Sequence, residues 1–284
     1  MTQTSLFGPE PGAVPEKPAG RLSTRMRVLI TVKAAPNPSE TYGETVCVAG
    51  LRVDPDDAGW VRLYPINYRE LDSNDKFRKY DVISVRAKPN PGDPRAESWR
   101  PEVDSITREA HLRPWKPRQA YVNDFVDGTM CGLIQAVRDT PPARSLGAIR
   151  PRQVMGLDIE SHPGWNVDDQ RKIDQYMNQL EIPFPEFSRS AKTPLEAPRF
   201  KGWYRYLCGA AGCRSHRQGI YDWEWVALQR RLAVRGDAEL REALQKKFFS
   251  EICAESRDLV FFVGNQVKYP QGFMVLGMFW PPAS

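Results

Sequence analysis

The chain has 284 residues, with 40 Lys and Arg against 35 Asp and Glu and a net charge of +5. A hydrophobic share of 41% and a mean hydropathy of −0.53 describe a soluble globular protein, long enough for one large domain or two ordinary ones. No apolar run has the ~20 residues of a membrane span, and the N-terminus lacks the apolar core of a signal peptide, so a cytoplasmic protein is expected.

In chain order, Gln3-Thr4-Ser5-Leu6-Phe7 comes first, followed by GPEPGAVPEKPAGRL over 8–22. That segment is too rich in proline and glycine to offset its ordering entropy, which predicts a disordered tail over 1–25. Strands are predicted over 26–34, 44–52, 59–66, 80–89 and 98–106, where β-branched and apolar runs are separated by turn residues. Five short strands in so short a stretch point to a small β-barrel. A helix is expected around 119–138, with Gly128 and Gly132 weakening its continuity.

The second half reads as a strand over 149–160 and a helix over 166–182 capped by Asn166. A proline-rich connection leads to a strand over 201–208, and another starts near Gln218. Two helices follow, over 224–234 and 237–255; the second carries Leu240, Leu244, Phe248 and Ile252 as one apolar stripe. Strands at 258–265 and 272–280 close the chain. The fold class is therefore mainly β with α, as two small-barrel halves over 26–145 and 146–284 with interposed helices.

Motif absences narrow the chemistry. The sequence has no phosphate-binding P-loop, no Gly-x-Gly-x-x-Gly, no His-Glu-x-x-His and no Gly-x-Ser-x-Gly. The five cysteines are scattered and odd in number, which suits a reducing compartment. Cys208, Cys213 and His216 stand as C-x4-C-x2-H, three candidate ligands for a structural zinc, with Cys253, Asp222 or Glu224 as the candidate fourth. Asp222 and Glu224, with His216, are also the candidates for a metal-dependent nuclease or nucleic-acid-modifying site. Their place before a helical run equally suits a helix cap.

Aromatic and basic residues interleave at three places. Period-2 geometry puts Trp60, Arg62 and Tyr64 on one face of a strand. If Val61 and Leu63 line the core, that face is a platform for stacked bases and phosphate. The same pattern fits aromatics that cover a neighbouring element, with Arg62 paired. Arg199, Lys201, Trp203 and Arg205 repeat it, and the stretch 108–118 does so more loosely. These residues make DNA or RNA the expected partner.

Two resemblances add to this reading. VLITVKAAPNPSETYGETVCVAGLR, GWVRLYPINYREL and KYDVISVRA in the first half, with IYDWEW and FFVGN…FMVLGMFWPP in the second, resemble a bacterial family with a dual OB-like domain. The resemblance implies two OB-like barrels and suggests nucleic acid as ligand. Gln3, Leu6 and Phe7 resemble the Gln-x-x-Leu-Phe peptide by which bacterial replication and repair proteins dock on the β sliding clamp. Together these imply an accessory protein of DNA replication, repair or phage defence. A protein adaptor that binds no nucleic acid is the remaining alternative.

Overall fold

The computed structural model describes residues 22–54, 57–68, 71, 76–139, 143–179 and 192–283. The clamp-like peptide of Gln3, Leu6 and Phe7 lies outside the described residues, as does the proline-rich tail as far as Arg21.

The first half is a closed barrel of five strands. They are β1 (Thr24–Lys33), β3 (Gly43–Arg52), β4 (Gly59–Ile66), β5 (Asp81–Pro89) and β6 (Ser98–Pro101), with short β2 (Asn37–Ser39) and β7 (Thr107–His111) at the margins. Going round, β1 pairs β3, β3 pairs β4, β4 pairs β6, β6 pairs β5, and β5 returns to β1. All these pairings are antiparallel except β4 with β6. Alternation drives Met26, Val28, Val46, Val48, Val61, Leu63, Ile83 and Val85 into one core. The strand expected over 98–106 stops at Pro101 and passes into a 3-10 turn over Val103–Ser105.

The helix expected over 119–138 is two helices, α1 (Lys116–Val122) and α2 (Met130–Asp139). A 3-10 turn and a non-helical run containing Gly128 separate them, in line with the low helix propensity of glycine.

In the second half, β8 (Leu146–Ile149) and β9 (Pro151–Ser161) are separated by Arg150 alone and serve two three-stranded sheets. After α3 (Val167–Asn178), β9 pairs β10 (Phe200–Cys208), which pairs β11 (His216–Gly219). Helices α4 (Trp223–Arg231) and α5 (Asp237–Gln245) precede β12 (Val260–Gln266) and β13 (Tyr269–Phe279). β12 pairs both β13 and β8. A parallel bridge from Ile220 to Val275 joins the remaining edges. The ring order is thus first-second-third-fifth-fourth in both halves, with the third and fifth strands parallel, and it is compatible with OB-like barrels.

The predicted caps and stripe hold. The Asn166 side chain accepts the Asp169 amide at 2.8 Å. Leu240, Leu244, Phe248 and Ile252 all enter the second core, the last two through a wide π turn over Lys246–Glu251 that follows α5.

A third apolar layer joins the halves. Leu29, Val32, Ala49 and Val82 of the first barrel meet Leu146, Ala148, Val260, Phe262 and Phe279 of the second. This explains why β1 and β12 read as continuous apolar runs: each is buried on both faces. It also corrects the expectation for Trp60, Arg62 and Tyr64, which do not form an open platform. Trp60 packs edge-on against Phe125 and Phe262. Arg62 is 4% exposed, and its guanidinium donates to Cys47 Sγ and to the hydroxyl and carbonyl of Ser145. Tyr64 stays partly open, with its hydroxyl 3.3 Å from Thr45 Oγ1. Phe262 of the second half, with Phe125 and Ser145 from the segment that leads into it, covers the face that alternation alone left free.

Candidate nucleic-acid groove and metal centre

Alternation along β10 turns Phe200, Tyr204, Tyr206 and Cys208 inward and leaves Lys201, Trp203 and Arg205 outside. Gly202, an inward position, lies under Trp225; a Cβ there would fall 2.7 Å from the indole. This close approach brings α4 against the start of β10, where the Trp225 Nε1–H donates to the Phe200 carbonyl at 2.9 Å.

A cavity of about 590 Å³ opens at this place. Lys201 and Trp203 of β10, Gly219 and Tyr221 around the end of β11, and Arg230 of α4 line it. His162 and Trp165 reach it from the long connection between β9 and β10, Gln266 from the end of β12, and Asn37 from the first half. Trp165 is fixed by its indole N–H, which donates to the Leu195 carbonyl at 2.7 Å. The Arg217 guanidinium lies 4.4 Å from the Trp203 ring and is itself held by Asp158 and Glu160. Burial, and then the charge of Lys201, push the His162 imidazole below its ordinary value; Asp169 and Glu196 line the cavity beside Lys201 and Arg230. By strand order this is the second- and third-strand face with its flanking loops, the surface OB folds use for oligonucleotides.

The other residues of the same stretch have structural duties. Arg199 donates to the carbonyl of Arg235 at 2.8 Å and pairs with Asp237, fastening the α4–α5 turn. Arg205 pairs with Asp158 at 2.9 Å. Three of the four candidates therefore share β10, with Arg199 just before it, but only Lys201 and Trp203 reach the groove.

Cys208, Cys213 and His216 do come together, and the fourth member is Cys131 at the start of α2. All four ligand atoms lie within 4.8 Å of one another. Cys131 Sγ stands 3.4 Å from His216 Nε2 and 3.5 Å from Cys208 Sγ, and the His216–Cys208 separation is 3.4 Å. Ligands about 2.0–2.3 Å from a tetrahedral ion are about 3.5 Å apart, so the cluster has the size to hold a metal. Burial opposes ionisation of Cys208, but the Ala210 and Cys131 amides and His216 outweigh it and lower that thiol to about 6.

Cys253, named as a possible fourth ligand, is elsewhere: its thiol donates to the Phe248 carbonyl at 3.4 Å, and burial pushes it up to about 12. Cys131 was missed because it stands 77 residues before Cys208. A lone cysteine at the start of a helix carries no local ligand spacing.

Asp222 and Glu224, the other fourth-ligand candidates, sit at the junction of the halves. Asp222 is fully buried and caps α4, accepting the Glu224 amide at 3.0 Å. Both its carboxylate oxygens accept from Lys79 Nζ, at 2.9 and 2.7 Å. Glu224 approaches the same ammonium at 3.4 Å. His216, the third residue of the nuclease alternative, lies in the thiol cluster. The carboxylate pair is thus organised around a lysine of the first half.

The model of the domain of unknown function DUF8757 matches residues 126–284, and that of DUF8758 matches residues 24–124. The two adjoin at the end of the turn that follows α1. A search of curated proteins finds no match. The DUF8757 match covers more than half of the chain, so the chain belongs to that family.

Proposed function

We propose that this member of the DUF8757 family is a nucleic-acid-binding accessory protein of bacterial DNA replication, repair or defence. The groove beside Trp203 and Lys201 carries the reading. It sets aromatic rings beside cations in a cleft of ligand size. Bases stack on such rings without regard to sequence, while the cations meet phosphate. In this reading an unpaired stretch of strand enters at Lys201 and stacks on Trp203 or Trp165.

Gln3, Leu6 and Phe7 then tether the barrels to the β sliding clamp. An apolar peptide outside the core suits a pocket on another protein, and recruitment raises the local concentration of the barrels at DNA. Cys131, Cys208, Cys213 and His216 hold a structural zinc. Four protein ligands leave no open coordination position, which assigns the ion to stability rather than chemistry. It pins the start of α2 to the far end of β10.

Fluorescence anisotropy with labelled single-stranded DNA and RNA tests the groove. Salt-dependent binding that Trp203→Ala weakens tenfold or more is expected. Binding unchanged in that variant overturns the groove. Clamp affinity of the intact chain against Leu6→Ala/Phe7→Ala tests the tether, and equal affinity overturns it.

A further inference from the structure

A second cavity, of about 460 Å³, lies on the opposite flank of α4 at the seam between the halves. Lys79, Tyr80, Trp115 and Arg118 line it from the first half; Glu224, Arg231, Lys247 and Trp280 line it from the second. Four cations face one carboxylate, and two of the cations are already matched. Lys79 is held by Asp222 and Glu224, and Lys247 pairs with Glu251 at 3.0 Å.

Arg118 and Arg231 are the remainder, and neither has a carboxylate partner among the described residues. Arg118 is the more telling, because it is only 8% exposed. Its guanidinium lies 3.9 Å from the Tyr80 ring, Nε donates to the Leu112 carbonyl at 2.9 Å, and Nη2 lies 3.4 Å from His111 Nε2. His111 is itself committed to Asp81 at 2.6 Å. Nη1 makes no hydrogen bond among the described residues. Buried charges are ordinarily paired, and desolvation lowers the affinity of this guanidinium for its proton. A guanidinium with Nη1 open and no carboxylate, sharing a cavity with Arg231 and Lys247, matches a phosphoryl group, which offers several charged acceptors to such donors.

The walls add a second requirement. The Trp115 and Trp280 ring centroids are 5.4 Å apart at 56°, and Lys247 Nζ lies 4.6 Å from the Trp280 centroid, so one wall of the cavity is aromatic with a cation at its side. We propose that this cavity binds a nucleoside 5′-monophosphate unit, with its phosphate on Arg118, Arg231 and Lys247 and its base against Trp115 or Trp280. The unit is either a free nucleotide or the 5′-phosphorylated end of a strand. The site shares no lining residue with the groove beside Trp203 and does not depend on that reading.

The test is calorimetric titration of the full-length protein with adenosine 5′-monophosphate, adenosine and inorganic phosphate, then with oligothymidylates with and without a 5′-phosphate. Saturable binding of the monophosphate, at least tenfold tighter than of adenosine or of phosphate, is expected. A free nucleotide as ligand gives equal affinity for the two oligothymidylates; a strand end favours the phosphorylated one. Arg118→Met should reduce affinity at least tenfold. Because that change is buried, Arg231→Ala/Lys247→Ala, at positions open to solvent, should do the same at unchanged melting temperature. Trp203→Ala should leave monophosphate binding intact. Absence of saturable binding, phosphate binding as tightly as the monophosphate, or full affinity in the Arg231→Ala/Lys247→Ala variant overturns the proposal.

Discussion

Lys79 Nζ, from the loop before β5, lies 2.7 Å from Asp222 Oδ2 at the cap of α4, and both side chains are buried. One ion pair therefore links the first barrel to the helix that flanks both cavities. Burial and Glu224 raise the Asp222 carboxyl to about 6 against the pull of Lys79. Burial opposes the charge on Lys79, but Asp222 and Glu224 outweigh it and hold its ammonium above the ordinary lysine range.

Removing Lys79 leaves Asp222 buried without its cation, whereas removing Asp222 leaves Lys79 with Glu224. Lys79→Met should cost about 3–5 kcal/mol, the usual range for breaking a buried pair. Asp222→Asn keeps an acceptor for the cap and should cost less. The double variant should cost less than the sum, since the sites are in contact. Urea unfolding of all four proteins measures this; simple additivity would show that the pair is not coupled.

Lys33 makes a pH-dependent contribution of its own. Its Nζ sits 3.4 Å from the centroid of the Tyr68 ring and 4.7 Å from that of Trp223. Burial, with Lys79 adding repulsion, lowers its amine from 10.5 to about 7. Between those two values the unfolded chain holds a proton that the folded one lacks, so this group's contribution rises as pH rises from about 7 to 10.5. Below about 7 the ammonium form is imposed on the fold at a cost. Lys33→Met should flatten that rise and stabilise the protein at pH 6 by about 2 kcal/mol or more, because each tenfold loss of proton affinity on folding is worth ~1.4 kcal/mol. Melting temperatures of both proteins from pH 6 to 10 decide it; parallel curves would remove Lys33 as the source.

Elemental analysis of purified protein should find one zinc per chain. Cys131→Ser should lose it as fully as Cys208→Ser does, whereas Cys253→Ser should retain it. Chelation of the wild type should lower its melting temperature, because the energy of binding a structural ion is folding energy. Retention of zinc by Cys131→Ser would place the fourth ligand elsewhere.

Arg62 and Trp203 should separate cleanly. Arg62→Met strips hydrogen-bond donors from the buried Ser145 hydroxyl and carbonyl and should cost about 1–3 kcal/mol of stability with little change in strand binding. Trp203→Ala should do the reverse, costing about 1–3 kcal/mol of binding. Lys201→Ala should reduce the salt dependence of binding by about one unit of slope. Anisotropy at several salt concentrations, beside thermal melts, reads all three.

The strands, the Asn166 cap and the stripe of Leu240, Leu244, Phe248 and Ile252 were legible because each depends on neighbours within a few residues. The chain also carried Cys208, Cys213 and His216 as a visible group for the same reason. Cys131 was not legible, and Arg118 was legible only as the end of the loose aromatic–basic stretch 108–118. Their partners come from strands and helices remote in sequence, and a lone thiol or guanidinium has no periodicity to betray it.

Sequence alone determined a strand-rich chain of two halves, the Asn166 helix start, and which residues share a strand face. Whether a face is open or covered was decided only by the docking of the barrels. Alternation sorts side chains into two sets but carries no information about what lies against either set. On β4 Phe262 of the second half and Phe125 covered Trp60, and Ser145, just before β8, covered Arg62; on β10 Lys201 and Trp203 were left at an open groove. The same aromatic–basic pattern therefore became core packing in one barrel and a candidate binding surface in the other.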